Sequence, residues 1–571
     1  MSPKLALNVI GILAMMGAGL SPVMAAPAVP SSVSPGQVEK RLQAPEPVPG
    51  QLDLRLPAPV EEQSIPDNVR RQLEKNTFTL RNVVIAGDTA YPPEELAFAY
   101  QDKIGHTISL LDARQMAIAI TDFYHKDGYI LSQAVVPTQS LDNGTLTIRV
   151  VEGYIGNVSF EGDERSNGEK RVLEAYADKI KNLHPARMKD LERYMLLMND
   201  LPGASVHGLI RPSNTGLGSA DLVLTVTHKS FDASYTFDNR GTKYLGPWQQ
   251  TAIVDANSLF GMYDHTQLRL MTSYPFQEVF NGQIEHDETL NSEGTKLSLL
   301  ASHTRTQPGD ALKVLKVIGY SDLFEAKVTH PFLRLRQQSL VGRVTFDVNN
   351  TTSNVFSSTP LSTDRLRTAR VGGTYTFLDT LRGNNLIDVQ LSQGMNIFSA
   401  TSSGATRSNV NGNSAFTKTN FDLSRLQTLP ANFSILMGAT GQYSFSPLLT
   451  DEQFALGGSD YGRSFDPSEL LGDSGIAGKA ELRYGKPVDA FPIKSYQLYS
   501  FYDIGKVWVR SAAAGTASHA SLSSAGVGTR VNVTNYVTTS LEASVPVTKP
   551  TNDQTAYRHS PRIFFSLAVH Y

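Results

Sequence analysis

The chain has 571 residues, a formal net charge of −3, 40% hydrophobic and 18% charged residues, and no cysteine. So near-neutral a balance excludes a nucleic-acid binder held by phosphate charge, and the missing thiols exclude disulfides and thiolate chemistry. Beyond the N-terminal stretch no run reaches about 18 apolar residues, so no later helix is expected to cross a membrane.

Residues 1–25 are predicted to be a secretory signal. Lys4 gives a short positive start, Leu5 to Leu20 is apolar or small, and Ser21 to Ala26 offers small residues for cleavage after Ala25 or Ala26. Residues 26–76 read as a linker, with prolines at 27, 30, 35, 45, 47, 49, 57, 59 and 66, because proline-rich chain is stiff and packs no core. Within it Ser34 to Leu42 suits a short helix, with Ser34 as cap and Pro35 at the first position.

Two copies of one unit follow, at residues 77–153 and 154–229. Asn82, Val83, Ile85, Gly87 and Asp88 recur 75 residues later as Asn157, Val158, Phe160, Gly162 and Asp163. Ala113, Met116, Ile120 and Phe123 match Met188, Leu191, Met195 and Met198 in the same way, and Gly128 matches Gly203. Steps of three and four place each apolar set on one helical face, which is expected to pack on a sheet. Weaker helices are predicted at Pro93 to Lys103 and at Lys170 to Asn182. Alternating strands end each copy, through Leu146, Ile148 and Val150 and through Leu222, Leu224 and Val226. The unit is strand, helix, helix, strand, strand.

From residue 230 the texture is alternating segments separated by Gly, Asn, Asp, Ser and Thr clusters. Ala525, Val527, Thr529, Val531 and Val533 form one apolar face. Leu541, Ala543, Val545 and Val547 form a second, and Ile563, Phe565, Leu567, Val569 and Tyr571 a third. Alternation alone fits a soluble sandwich or a transmembrane barrel equally. The secretory start, the absent disulfides, the number of strands and the aromatic last residue favour the barrel. At about 21 residues per strand with its loop, residues 230–571 predict an even number near sixteen. The fold class is thus mainly β, a transmembrane antiparallel barrel preceded by two α+β modules.

Motifs for catalysis are thin. Gly472-Asp473-Ser474-Gly475 resembles a serine-protease nucleophile site, but Ile476 replaces the next glycine and no partner histidine setting is evident. No phosphate loop or His-Glu-x-x-His site occurs, and the histidines, among them His106, His184, His207 and His330, are scattered. An enzyme, a cofactor and a bound metal are therefore not expected. The richest segment is Leu456 to Gly475, too rich in glycine and turn formers for a strand, followed by a strand containing Asp503 and Gly505.

On these residues the chain resembles the TpsB-type outer-membrane transporters of two-partner secretion, the haemolysin secretion/activation family of the BamA-like superfamily. The repeat looks like two POTRA domains, the family's periplasmic modules. Asp238-Asn239-Arg240-Gly241-Thr242 with Gly246 resembles the first barrel hairpin, and His330-Pro331-Phe332-Leu333-Arg334-Leu335-Arg336 an internal strand connection. Gly462-Arg463-Ser464-Phe465, before Asp466, resembles the inward-folded loop motif, usually Val-Arg-Gly-Phe or Tyr. The resemblance implies that Arg463 reaches down the lumen to Asp503, on the receiving strand with Gly505. A wet lumen would screen that pair to about 1 kcal/mol or less, leaving it a positional role. Gly462 and Ser464 depart from the usual spelling, so a differently shaped tip is expected. A helix near Gln37 to Leu42 spans about 15 Å and is expected to be too short to plug a lumen about 25 Å tall.

The implied function is secretion of an unfolded partner exoprotein of the haemagglutinin or haemolysin kind, without ATP. Its implied contacts are that partner, outer-membrane lipid and the barrel assembly machinery that inserts it, with no nucleic acid. The alternative is a BamA-like assembly factor, for which more than two periplasmic repeats are expected. A diffusion or uptake channel fits less, since plain porins carry no such repeats and energised receptors need a large plug domain.

Overall fold

The computed structural model describes residues 29–42, 67–163, 166–274, 276–401, 406–490, 492–511, 517–548 and 561–571. The expected signal segment, and the linker between residues 43 and 66, lie outside the described residues.

Both N-terminal modules are built around their last strand. In the first, Thr145–Val151 runs parallel to Asn82–Ala86 and antiparallel to Gln133–Val135. In the second, Ser219–His228 lies between Tyr154–Gly162, parallel to it, and Ala204–Pro212, antiparallel. The predicted apolar stripes face these sheets. Ala113, Met116 and Ile120 are buried on a helix at Leu110–Lys126, and Leu191, Met195 and Met198 on one at Met188–Asn199. A serine caps the former: Ser109 Oγ accepts from the Asp112 N–H, and Asp112 accepts from the Ser109 N–H.

The weaker helices diverge. The second copy has a full helix at Asn167–Lys181, capped by Ser166 and Glu169. The first does not form the single helix expected over Pro93–Lys103. A short turn at Pro93–Leu96 gives way to 3₁₀ turns at Ala97–Ala99 and Gln101–Lys103. Tyr100, at φ −140°, breaks the helix, and only Leu96 and Ala99 of the stretch are buried, so little packing supports a longer one. The linker also ends earlier than expected, since Asp67–Lys75 is helical and stabilised by an Arg70–Glu74 pair.

Sixteen antiparallel strands then close into a barrel. They are β1 (Phe231–Asp238), β2 (Trp248–Asn257), β3 (His265–Tyr274), β4 (Val279–Thr289), β5 (Lys296–Thr306), β6 (Ile318–Arg334), β7 (Gln338–Val355) and β8 (Thr359–Leu378). There follow β9 (Gly383–Gly394), β10 (Thr417–Thr428), β11 (Phe433–Ser444), β12 (Ser474–Ala490), β13 (Ile493–Trp508), β14 (His519–Asn532), β15 (Val537–Pro546) and β16 (Arg562–His570). The apolar faces read from the sequence point outward, with Val527, Leu541, Val545 and Ile563 all exposed. No partner sheet covers them, as closure by a single cylinder requires. The closing pair β1–β16 is short, running from Ser566↔Asp238 to His570↔Ser234. Beyond it the Asn239 side chain continues the ladder, donating to the Ile563 carbonyl at 3.0 Å and accepting from the Phe565 N–H at 2.7 Å.

The second module is clamped to the turns at one end of the cylinder. Arg334, at the end of β6, forms a two-pronged pair with Asp200 at 2.6 and 2.7 Å. Glu293, in the β4–β5 turn, meets Lys179 at 2.8 Å and Arg193 at 3.4 Å. Ser258, in the β2–β3 turn, donates to Glu169 at 2.6 Å, and Tyr263 of that turn enters the module's own core. The His330 to Arg336 motif is thus a docking turn as well as a strand connection.

The N-terminal helix is where the structure corrects the sequence reading. Helix α1 (Pro35–Leu42) lies inside the barrel, touching β5 and β6 on one side. Its length was not the limit, because it shares the lumen with other chain. A 3₁₀ turn at Ser31–Val33 precedes it, and the loop joining β11 to β12 folds in beside it.

Candidate functional site

The β11–β12 loop leaves the far end of the barrel and turns back into the bore. Thr450–Glu452 forms a 3₁₀ turn, and Phe454–Leu456 pairs with Leu470–Gly472 as a small hairpin. Phe454, Leu456, Phe465 and Leu470 pack together against Ala477, Val507 and Leu522 of the wall. This apolar cluster inside a polar lumen is what holds the hairpin down. Gly505 is where the wall admits it: a Cβ there would lie 2.7 Å from Leu456 Cδ1.

The loop tip carries Gly462, Arg463, Ser464, Phe465 and Asp466. Gly462 adopts φ +86°, and a Cβ on it would meet Leu522 Cδ1 at 2.5 Å. The departure from the usual valine therefore matches a left-handed turn that only glycine makes without strain. Its N–H and that of Arg463 donate to Asp503 Oδ2, at 3.3 and 3.2 Å. Arg463 Nε and Nη2 also donate to Asp503, both at 3.2 Å. Ser464 is buried, and its carbonyl accepts from Arg562 of β16 at 3.2 Å. The same guanidinium pairs with Asp466 at 2.8 Å.

Sequence reasoning missed two of the arginine's three carboxylate partners. Glu481 on β12 is nearer than Asp503, at 2.6 Å, and Glu542 on β15 lies at 3.7 Å. The guanidinium also sits over the Phe501 ring, 3.7 Å from its centre. Glu481 is shared with Arg483 at 2.7 Å and Arg530 at 2.9 Å, and Glu542 with Arg240 at 3.1 Å. A signal existed, since Glu542 stands on the polar face of the alternation around Leu541. The expectation of a water-screened pair is corrected too. The Arg463 side chain is 5% exposed, Asp503 0% and Glu481 2%, so the attraction acts in low dielectric.

Helix α1 and the Ser31–Val33 turn before it are bound to this loop by polar contacts. Ser31 Oγ donates to the Ser468 carbonyl at 2.7 Å, Gln37 Nε2 to the Thr450 carbonyl at 2.5 Å, and Lys40 Nζ to the Gln453 carbonyl at 2.9 Å. Ser321 of β6 donates to Glu39 at 2.6 Å on the other side. The Thr450–Glu452 turn is itself fixed, with Glu452 held by Lys418 at 2.6 Å and Arg370 at 2.7 Å. Gln37 and Glu39 are buried while Val38 is the one buried side chain of the aliphatic class on the helix. The Asp473 that suggested a protease accepts instead from the Leu448 and Arg510 N–H groups and from Gln453, as a loop anchor.

Outside the membrane-spanning strands, carboxylates at the module–barrel clamp are tuned. Burial alone would raise Glu293, but the hydrogen bonds and charges of Lys179 and Arg193 bring it below its ordinary value. Its hydrogen bond in turn raises Lys179.

The barrel, the paired modules and the inward loop agree with comparison to known proteins. The family described as haemolysin secretion/activation protein ShlB/FhaC/HecB matches residues 218–531, and the ShlB-type POTRA domain matches residues 78–153. The chain belongs to the ShlB/FhaC/HecB family. It is therefore an outer-membrane transporter of the two-partner secretion type, with the POTRA end of its barrel in the periplasm. The heme/hemopexin transporter protein HuxB of Haemophilus influenzae is 24% identical over 479 residues, 82% of each chain. The outer membrane transporter CdiB of Escherichia coli O6:K15:H31 is 24% identical over 419 residues, 71% of this chain and 69% of that one. Among solved structures, CdiB from Escherichia coli superposes with a TM-score of 0.72 at 21% identity, covering 87% of this chain and 91% of the other. CdiB from Acinetobacter baumannii gives 0.65 at 16% identity, over 94% and 96%. These likenesses carry the fold.

Proposed function

We propose that this transporter exports an unfolded partner exoprotein through its own lumen, with no nucleotide spent. The observation that carries the reading is the state of the bore. It is filled by α1 and the β11–β12 loop, which meet each other through hydrogen bonds rather than an apolar core. Burying Val38 is worth about 2 kcal/mol, and each neutral hydrogen bond about 1 kcal/mol net. An incoming chain that offers its own backbone groups can replace such contacts one by one.

Recruitment falls to the POTRA modules. Ala204–Pro212 is the edge strand of the second sheet; among the described residues no further strand pairs along its outer side, where the Asn199 side chain caps Val206 by accepting from its N–H and donating to its carbonyl. An extended segment of the partner can add there as a further strand, which asks for little sequence specificity. The clamp through Asp200, Glu293 and Glu169 keeps that edge at the periplasmic mouth. The chain then enters as α1 leaves and the Arg463 tip shifts, and folding outside prevents return. The roles of Arg463, Asp503, Gly462, Ser464, Phe465, Asp466 and Gly505 in this gating rest on the loop geometry. Replacing Arg463 or Asp503 by Ala is expected to leave the barrel in the membrane while partner secretion drops. Undiminished secretion in both variants would refute the assignment.

A further inference from the structure

The outward wall near the extracellular rim of β11–β14 carries a patch that export does not use. Trp508, one of two tryptophans in the chain, ends β13 and faces outward, with Lys506 Nζ 5.3 Å from the centre of its ring. Across β12 stand Tyr443 of β11 and Phe445 just past its end, both exposed and packed edge to face at 5.1 Å. Arg510, just past β13, lies over the Tyr443 ring at 5.4 Å and donates to its hydroxyl at 3.0 Å. His519 pairs in register with Trp508 and is exposed.

Charge on this patch has one sign. The outward positions around it in register are Thr419, Ser474, Ile476, Ser521 and Thr417, with no carboxylate among them. Asp473, next to Ser474, is fully buried and accepts from the Arg510 N–H at 2.7 Å. The far side of the same rim behaves differently. There outward His303 is paired with Asp322 at 2.7 Å, and Trp248 stacks on Phe237. Below the patch the wall is aliphatic, with Ile476 and Ile504 exposed.

We infer that Lys506 and Arg510, framed by Trp508, Tyr443 and Phe445, hold the phosphorylated headgroup of an outer-leaflet glycolipid, lipopolysaccharide, with its acyl chains on Ile476 and Ile504. The aromatic rings belong at the headgroup level because one side is apolar and the other wet. Each cation near an anionic surface adds about 1 kcal/mol, and the ring contacts pre-orient both. The ligand would brace β12 and β13 from outside at the strands that hold Arg463 from inside, through Glu481 and Asp503.

The test is native mass spectrometry of the full chain in detergent, titrated with diphosphoryl lipid A, monophosphoryl lipid A and phosphatidylethanolamine. The wild type is expected to retain diphosphoryl lipid A most strongly and monophosphoryl lipid A less. The double substitution Lys506→Gln/Arg510→Gln should weaken the diphosphoryl form about thirtyfold. Arg305→Gln, across the barrel on the same rim, should leave it unchanged. Should the glutamine pair fail to show the heat-shifted migration of a folded barrel, Lys506→Arg/Arg510→Lys retains the charges and must retain the lipid. Lipid A binding within threefold of wild type in the folded glutamine pair overturns the site, as does phosphatidylethanolamine binding as tightly as lipid A.

Discussion

Removal of Arg463 is the perturbation whose cost the structure specifies most closely. Its three carboxylates do not suffer equally. Glu481 keeps Arg483 and Arg530 at 2.7 and 2.9 Å, and Glu542 keeps Arg240 at 3.1 Å and the Tyr499 hydroxyl at 2.8 Å. Among the described residues, Asp503 keeps Ser524 Oγ at 3.2 Å and the two loop N–H groups. One buried charge is therefore left uncompensated, a loss of about 3 to 5 kcal/mol. The lost stacking on Phe501 adds about 1 kcal/mol. Phe465 still anchors the tip with about 2 kcal/mol of burial, so Arg463→Ala should loosen the loop rather than unfold the barrel. Even the lower end of that sum, about 4 kcal/mol, speeds exchange of the Gly462–Phe465 amides about a thousandfold in native-state hydrogen exchange. Adding Asp503→Asn removes the orphaned charge and should restore about 2 kcal/mol of that loss. Exchange within threefold of wild type in Arg463→Ala would refute the argument. So would a double variant whose losses simply add.

Other consequences follow from neighbouring contacts. Gly36→Val places a Cβ 2.1 Å from the Asp451 carboxyl carbon, so α1 should leave the lumen and conductance across a planar bilayer should rise several-fold over wild type. Asp200→Ala leaves Arg334 unpaired at the clamp; a loss of about 3 kcal/mol should appear as faster exchange in Met188–Asn199 with the barrel core unchanged. The clamp should also weaken in acid. Glu293 is depressed in the folded state, so its contribution is complete above its ordinary value of 4.5 and disappears as pH falls below it. Small-angle scattering should show the modules more mobile at pH 4 than at pH 7, and Glu293→Gln should reduce that dependence. Glu169, which burial would raise but the Ser258 hydrogen bond holds below its ordinary value, carries what remains.

The cylinder was legible because its signal is a face. In Ile563, Phe565, Leu567 and Val569 every second residue is apolar, and lipid-facing strands need that period and little else. The repeat was legible because two helices must each cover a sheet, fixing Met116 and Ile120 against Leu191 and Met195. What the sequence hid depends on pairing between distant residues. Helix α1 has Gln37, Glu39, Lys40 and Arg41 where an interior helix would normally show apolar side chains, so its burial follows only from a lumen lined with Ser321, Thr351 and the Thr450 turn. Glu481 was hidden by its strand, β12, whose start is glycine-rich and whose register is fixed by β11 and β13 rather than by its own pattern. The first module's broken helix reflects missing contacts rather than poor propensity. The docking role of Arg334 required knowing that Asp200 sits at the end of a helix 134 residues away.

The central claim is that the bore must be vacated for export, and the cysteine-free chain permits a direct test. Ser34 Oγ and Asp451 Oδ1 stand 3.4 Å apart across the contact between α1 and the loop. A Ser34→Cys/Asp451→Cys pair, oxidised in intact cells, should tether α1 in place. Partner protein in the medium is expected to fall to background under oxidation and to return on adding a reductant, with each single variant unaffected. Secretion at the wild-type rate through the oxidised, cross-linked transporter would contradict it.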